Sequence, residues 1–204
     1  MFISPVIAIE HGWVKRADCN SIDDWKQKKL VSPNALDFTL DNVLYVDKSY
    51  QAVVGETKIK QMRPLHRVNV EHDDTWILNS NEVYDGTSLT YVEVPKDVAA
   101  ILYTRSTFAR NGVFIVSGLY DSGYKGQVGF TVYTIGGSIR IEKGTRVGQI
   151  AFIKAEAFNL YKGGWNHPQG THYTENNSAL KELEKTHKVD SLQISKPAGT
   201  VDFI

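Results

Sequence analysis

Apolar side chains along the chain come in short bursts, many alternating with polar ones, and turn-forming residues separate the bursts. Ser88-Leu89-Thr90-Tyr91-Val92-Glu93-Val94 alternates with a period of two and is closed by Pro95, as a half-buried strand would be. Between Asn34 and Asp47, Leu36, Phe38 and Leu40 share one side of a strand; Asp41-Asn42 reads as a turn, and Val43 to Val46 continues beyond it. Shorter strands are expected at 52–54, 76–78, 99–104, 113–116, 128–133, 138–141 and 147–153, the last two split by the turn Glu142-Lys143-Gly144-Thr145. Val6-Ile7-Ala8-Ile9 reads as a first strand. Many short strands at close spacing predict an all-β sandwich or barrel.

Helical signals are few. Ser21 is a capping residue for a short helix with Asp23 and Asp24 at its positive end, stopping before Pro33. Ala179 to Lys188, after Asn176-Asn177-Ser178, interleaves Glu and Lys as a solvated helix does. A chain of 204 residues is sized for one domain, with two small ones the alternative.

Charge removes several partners. Lys+Arg 23 balances Asp+Glu 23, so no global field draws the chain to nucleic acid or to an anionic membrane, and any anionic ligand must be held by local charge. The single Cys19 makes no intrachain disulfide and belongs to no zinc-like cluster, which fits a reducing, cytoplasmic setting. Phe2 to Ile9 is apolar but short, is broken by Pro5 and follows no basic segment; it reads as a buried or subunit-contacting arm. No run reaches membrane-spanning length.

The densest chemistry lies between Arg105 and Thr134. Arg105-Ser106-Thr107-Phe108-Ala109-Arg110 brackets hydroxyls with guanidinium groups, a set able to hold phosphate oxygens; a turn whose arginines face water is the equal alternative. Asp121, in the glycine-flanked turn Gly118 to Gly126, is either a general base aimed at water or an Asx-turn residue, and its position alone favours the turn. Tyr124 is a stacking ring or a packing residue. Asp37 is a water-bridged metal contact or an exposed strand residue, the latter favoured by its setting. Gln149 interrupts an apolar strand and needs partners, as structural glue or as a ligand contact. Gly163 to Gly170, with Trp165 and Gln169, is a lid or a plain Gly-Pro loop. The six histidines show no pairing at zinc-ligand spacing.

In order, Pro33-Asn34-Ala35-Leu36-Asp37-Phe38-Thr39-Leu40, Arg105 to Arg110, Gly118-Leu119-Tyr120-Asp121-Ser122-Gly123-Tyr124-Lys125-Gly126 and Lys143 to Ile150 resemble the motif series of the deoxyuridine triphosphatase and deoxycytidine triphosphate deaminase superfamily, with a looser match at the Trp165 to Gly170 lid. The resemblance implies a distorted jelly-roll (β-clip) fold with short helices near both termini. It implies one domain over 1–204, with the motifs in 33–170, an N-terminal arm in 1–32 and a helix and tail in 171–204. It also implies a homotrimer with sites between subunits, a deoxyribonucleoside triphosphate substrate and Mg²⁺ carried on that triphosphate. By the same resemblance Arg105, Ser106, Thr107, Arg110 and Gln149, with Trp165 and Gln169 of the lid, would bind substrate. Tyr124 would lie against deoxyribose, Asp121 would orient or deprotonate the attacking water, and Asp37 would touch the metal through water.

The chain departs from the pattern in two places. Deaminases of this superfamily carry a catalytic Glu on the strand after the third motif, where this chain has Thr131, and the lid has Gly164 in place of the usual Lys, with Pro168 beyond it. A hydroxyl does not shuttle protons near neutral pH as a carboxylate does. The expected activity is therefore a deoxypyrimidine triphosphate pyrophosphatase, dUTP to dUMP and diphosphate, in nucleotide-pool control of a bacterial or virus-infected cell. The alternatives are dCTP deaminase and a catalytically silent nucleotide-binding or protein-interaction relative.

Overall fold

The computed structural model describes residues 1–161 apart from 55–58, 62, 69, 71–72 and 117. An N-terminal arm holds β1 (Phe2–Ile3), α1 (Pro5–Glu10), β2 (Val14–Lys15) and α2 (Ile22–Gln27). Then come β3 (Leu36–Leu40), β4 (Asn42–Val46), β5 (Val53–Val54), β6 (Ile59–Gln61), β7 (Leu65–Arg67), β8 (Thr75–Leu78) and β9 (Glu82–Glu93). The motif-bearing half contains β10 (Val98–Thr104), α3 (Ser106–Arg110), β11 (Val113–Val116), β12 (Leu119–Tyr120), β13 (Lys125–Thr134), β14 (Ile139–Glu142) and β15 (Thr145–Lys154).

Two antiparallel sheets face each other in a distorted jelly roll. One runs β1-β15-β10-β12 with β3 also paired to β15; the other runs β11-β13-β9-β4-β7 with β2 also paired to β9. β14 pairs with β8, and β5 with β6, as separate two-stranded ribbons. Asp41 therefore marks a crossing between sheets: β3 pairs with β15 while β4 pairs with β9, so the two strands around the expected turn are not a hairpin. The all-β expectation holds for the described residues.

Between the sheets, Phe38 and Phe130 meet with ring centroids 4.9 Å apart, among Leu36, Tyr84, Val128, Ile150 and Phe152, all buried. Each such side chain contributes roughly 1.5–3 kcal/mol by leaving water. Two glycines make room for the rings. A Cβ at Gly86 would stand 2.6 Å from Phe130 Cε2, and one at Gly148 would overlap the Phe38 ring.

The segment at 6–9 is helical, not a strand. Pro5 starts α1, where its fixed φ and missing N–H are favourable, and Ala8 packs into the core. The predicted capping of the next helix is found: Ser21 Oγ accepts from Asp24 N, and the Asp24 carboxylate accepts from Ser21 N at 2.8 Å. Ser106–Arg110, for which a turn is the equal alternative to a phosphate-holding set, forms the one-turn helix α3 with Arg105 as its N-cap. The expected helix at 179–188, the tail, Trp165 and Gln169 lie outside the described residues. No helix among the described residues is long and apolar enough to cross a membrane.

Candidate active site

Strand pairing gathers one group of the expected residues. Gln149 on β15 stands opposite both Asp37 on β3 and Tyr103 on β10, so their side chains share the outer face of that sheet. Arg105 follows two residues after Tyr103. A bulge at Val147, between Arg146 and Gly148, puts Arg146 opposite Thr39 and hence on the same face as Asp37. Without that extra residue, Arg146 and Gln149, three apart, would point to opposite sides.

Asp37 is the acceptor at the centre, only 1% exposed. Its Oδ2 takes Arg105 Nη1 at 2.6 Å and Arg146 Nη1 at 3.2 Å; its Oδ1 takes Gln149 Nε2 at 2.9 Å, and that amide also donates to Ser32 Oγ. Arg146 Nη1 further donates to Lys29 O at 2.7 Å. Asp37 is thus a buried acceptor and not the exposed strand residue favoured from its setting; the pattern of alternation missed it because all five residues of β3 are buried. Arg105 and Gln149 spend donors on Asp37, and the hydroxyls of Ser106 and Thr107 and the guanidinium of Arg110 are exposed on α3. Phe108, packed against the core, fixes that helix to the sheet.

Asp121 and Tyr124 line a different place, a cavity of about 330 Å³ with Asp85, Tyr120, Thr131 and Tyr161. The turn that carries Asp121 is held from both sides: Asp121 O accepts from Tyr124 N at 3.0 Å, Ser122 Oγ donates to Val98 O at 2.6 Å, and Gly123 N donates to Val94 O at 2.8 Å. Gly123 sits at φ +91, and a Cβ there would stand 3.0 Å from Leu160 Cβ, so glycine is required. Asp121 itself is exposed at the rim. Tyr124 presents its ring edge-on to Tyr120 at 4.7 Å and donates its hydroxyl to Gln127 O.

Asp85 was not among the sequence candidates. It lies on β9 directly opposite Thr131 of β13, so the two side chains share the cavity face. Its Oδ2 is buried and has no hydrogen-bond partner among the described residues. Burial pushes its pKa up from the ordinary 3.8 to about 7. The only clue in the sequence was a carboxylate between Tyr84 and Gly86, two residues that face the core.

A second cavity, of about 540 Å³, is lined by Arg16, Asp18, Lys28, Asp41 and Arg146 among others. Its charges are matched within the chain. Arg16, 7% exposed, holds Asp18 at 2.9 Å and Thr39 Oγ1 at 2.9 Å, and Lys28 reaches Asp18 at 3.2 Å. The Arg16 hydrogen bond brings the Asp18 carboxyl down to about 2. This cluster ties the N-terminal arm to β3 and β9.

No group of three or more His, Cys, Asp or Glu among the described residues could hold a metal ion. With both Asp37 oxygens taken by donors, a protein-ligated magnesium does not fit this part of the chain; a magnesium ion here would have to arrive on the substrate.

The described residues thus combine two antiparallel sheets, a carboxylate-bearing turn at one cavity and an R-S-x-x-x-R helix at a separate place. The family model for dCTP deaminase-like proteins matches residues 14–155. The chain belongs to the dCTP deaminase-like family. It is 32% identical over 143 residues to the dCTP deaminase of Pyrobaculum calidifontis, covering 69% of this chain and 79% of the relative. It is 25% identical over 138 residues to a probable deoxyuridine 5′-triphosphate nucleotidohydrolase of Halobacterium salinarum, covering 67% and 83%. The crystal structure of the 2′-deoxycytidine 5′-triphosphate deaminase from Agrobacterium tumefaciens superposes with a TM-score of 0.56 at 18% identity, over 74% of this chain. That likeness extends to the fold alone, and this chain spans 47% of that one's length.

Proposed function

We propose that the protein hydrolyses a deoxypyrimidine nucleoside triphosphate, dUTP foremost, to the monophosphate and diphosphate. Relatives named dCTP deaminase and deoxyuridine triphosphate nucleotidohydrolase both act on such nucleotides by name. The observation that carries the hydrolytic reading is Asp121: an exposed carboxylate on a turn locked by three hydrogen bonds, at the rim of an aromatic-walled cavity. Such a group orients water and takes its proton as the oxygen attacks the α-phosphorus. The new P–O bond forms as the α–β bridging bond breaks, and diphosphate leaves with the bonding pair, needing no proton from the protein.

Tyr124 would lie against the deoxyribose, where its ring leaves little room for a 2′-hydroxyl. Ser106, Thr107 and Arg110 would grip phosphate oxygens, with Arg105 and Gln149 holding that corner of the sheet through Asp37. Magnesium would enter with the triphosphate. Because the cavity holding Asp121 is not lined by any residue of α3, the reading places the complete site between copies of the chain, in a homotrimer. Phe114, Val116 and Tyr133, between 38% and 48% exposed on the outer face of β11 and β13, supply an apolar surface for that contact.

The test is diphosphate release from dUTP with Mg²⁺ by the purified full-length chain. Asp121→Asn should lower the rate roughly 10²–10⁴-fold, the contribution of a positioned base. A wild-type protein that binds nucleotide and turns none over would instead establish the catalytically silent reading.

A further inference from the structure

The second cavity, of about 540 Å³ between the N-terminal arm and the start of β15, takes no part in the hydrolytic step. We infer that it is a binding site for a phosphate group, separate from the cavity of Asp121 and from α3. The inference rests on the cavity's own wall and holds whether or not dUTP is the substrate.

That wall carries more positive than negative charge. Each charge has a partner within the chain, but Arg16, Lys28 and Arg146 line the space with only Asp18 and Asp41. The acid that Arg146 holds, Asp37, is not part of the lining and is shared with Arg105. Asp18 is covered twice, by Arg16 at 2.9 Å and by Lys28 at 3.2 Å, so it presents little net charge to the cavity. One cation is left over in a concave place, where walls of low dielectric focus its field on an anion.

The donors indicate which anion. Arg146 uses only Nη1, toward Asp37 and Lys29 O; its Nε and Nη2 meet no acceptor among the described residues. Lys28 Nζ is paired with Asp18 alone, and the Thr145 hydroxyl makes no hydrogen bond among the described residues. A guanidinium edge, an ammonium and a hydroxyl, carried by the end of α2 and the start of β15, suit the several oxygens of a tetrahedral phosphate better than a planar carboxylate. Behind them the site is rigid. Arg16, 7% exposed, is fixed by Asp18, by Thr39 Oγ1 at 2.9 Å and by Thr90 Oγ1 at 3.3 Å, and Thr90 Oγ1 in turn accepts from buried Ser88. A cation already held in place loses little freedom when an anion arrives.

Asp41 restricts the choice further. Its Oδ2 accepts from Thr39 Oγ1 and from Leu89 N, while Oδ1 has no donor among the described residues. An open carboxylate oxygen repels a bare dianion and accepts from a hydroxyl. The wall therefore fits a phosphate that keeps a proton or one carried on a hydroxylated molecule.

The experiment titrates the full-length chain by calorimetry with inorganic phosphate, ribose 5-phosphate and ribose, up to about 20 mM ligand at about 0.15 M salt. All proteins carry Arg110→Ala, which removes the guanidinium of α3 as a rival contact. The expected result is that both phosphates bind and ribose does not. Lys28→Met and Thr145→Val should each weaken binding roughly fivefold, and together roughly 20-fold. Neither touches the core, and an unchanged circular dichroism spectrum checks the fold. Ribose 5-phosphate binding more tightly than inorganic phosphate identifies a phosphoester as the ligand, and equal binding identifies free phosphate; both support the site. No binding of either phosphate overturns the inference. So does binding that Lys28→Met and Thr145→Val leave unchanged, and so does ribose binding as well as its phosphate.

Discussion

Asp85 offers a test on the folded chain alone, before any substrate is added. In the folded state its carboxyl is raised from 3.8 to about 7 by burial. The folded protein therefore holds a proton between about pH 4 and 7 that the unfolded chain has released. The sign follows from linkage: stability contributed by the protonated carboxyl is fully present below the unfolded pKa and is lost as pH rises through the folded one. The span from 3.8 to about 7, at about 1.36 kcal/mol per pH unit, is roughly 4 kcal/mol lost between pH 4 and pH 7. Asp85→Asn keeps the shape and cannot ionise. Any fixed cost of the amide is the same at every pH, so the difference between variant and wild type should move by roughly 4 kcal/mol in favour of the variant over that window. Asp18, Asp24, Asp47, Asp73 and Glu93, all held below their ordinary values, pull the other way as pH falls. They are common to both proteins and cancel in the difference. Urea denaturation at pH 4.5, 6 and 8 at fixed protein concentration measures it. With an m-value of about 2 kcal/mol/M, the relative shift in midpoint approaches about 2 M. A difference that does not change with pH would refute the burial argument, and one that grows toward low pH would reverse it.

Three further outcomes follow from other parts of the fold. Asp37→Ala strands two guanidinium groups and the Gln149 amide; complete burial would cost about 3–5 kcal/mol. Arg105 and Arg146 can turn to water, being 28% and 36% exposed, so about 2–3 kcal/mol is expected in urea melts, and an unchanged midpoint would show that the network is ornamental. Gly148→Ala drives a methyl into the Phe38 ring and should cost about 1–3 kcal/mol by overpacking, read as a lowered melting temperature with the secondary-structure spectrum retained. Ser21→Ala removes one half of the capping box on α2 and should cost about 1 kcal/mol, with amide exchange accelerating in the first turn of that helix.

What the sequence made legible was whatever depended on near neighbours. Alternation gave most strands, Ser21 and Asp24 gave a capped helix, and the glycine-flanked turn gave Asp121 a rigid seat. Errors fell where the deciding contact was distant or the segment short. Val6 to Ile9 is apolar enough for a strand, but Pro5 favours a helical first turn and Ala8 finds a buried place as a helical residue. Asp37 looked like an exposed residue between two apolar ones because nothing local announces that Arg105, Arg146 and Gln149, all more than sixty positions later, would fold over it.

Asp85 shows the same limit at the point where it matters for chemistry. Following β13 alone, Thr131 reads as the loss of a carboxylate. A sheet, however, offers each cavity-facing position two cross-strand neighbours at about 4.5–5.5 Å, and the register Thr131↔Asp85 places a carboxylate on the adjacent strand, facing the same way. The carboxylate absent from Thr131 on one strand of this face is thus matched by one on the paired strand, forty-six positions away in sequence, from 131 to 85. The register is fixed by parity: a slip of one residue between β9 and β13 would turn Asp85 toward the core and bring buried Tyr84, and Gly86 now packed against Phe130 and Leu40, to the cavity. The buried ring at Phe130, filling the space that Gly86 leaves open, is what holds Asp85 to the cavity side.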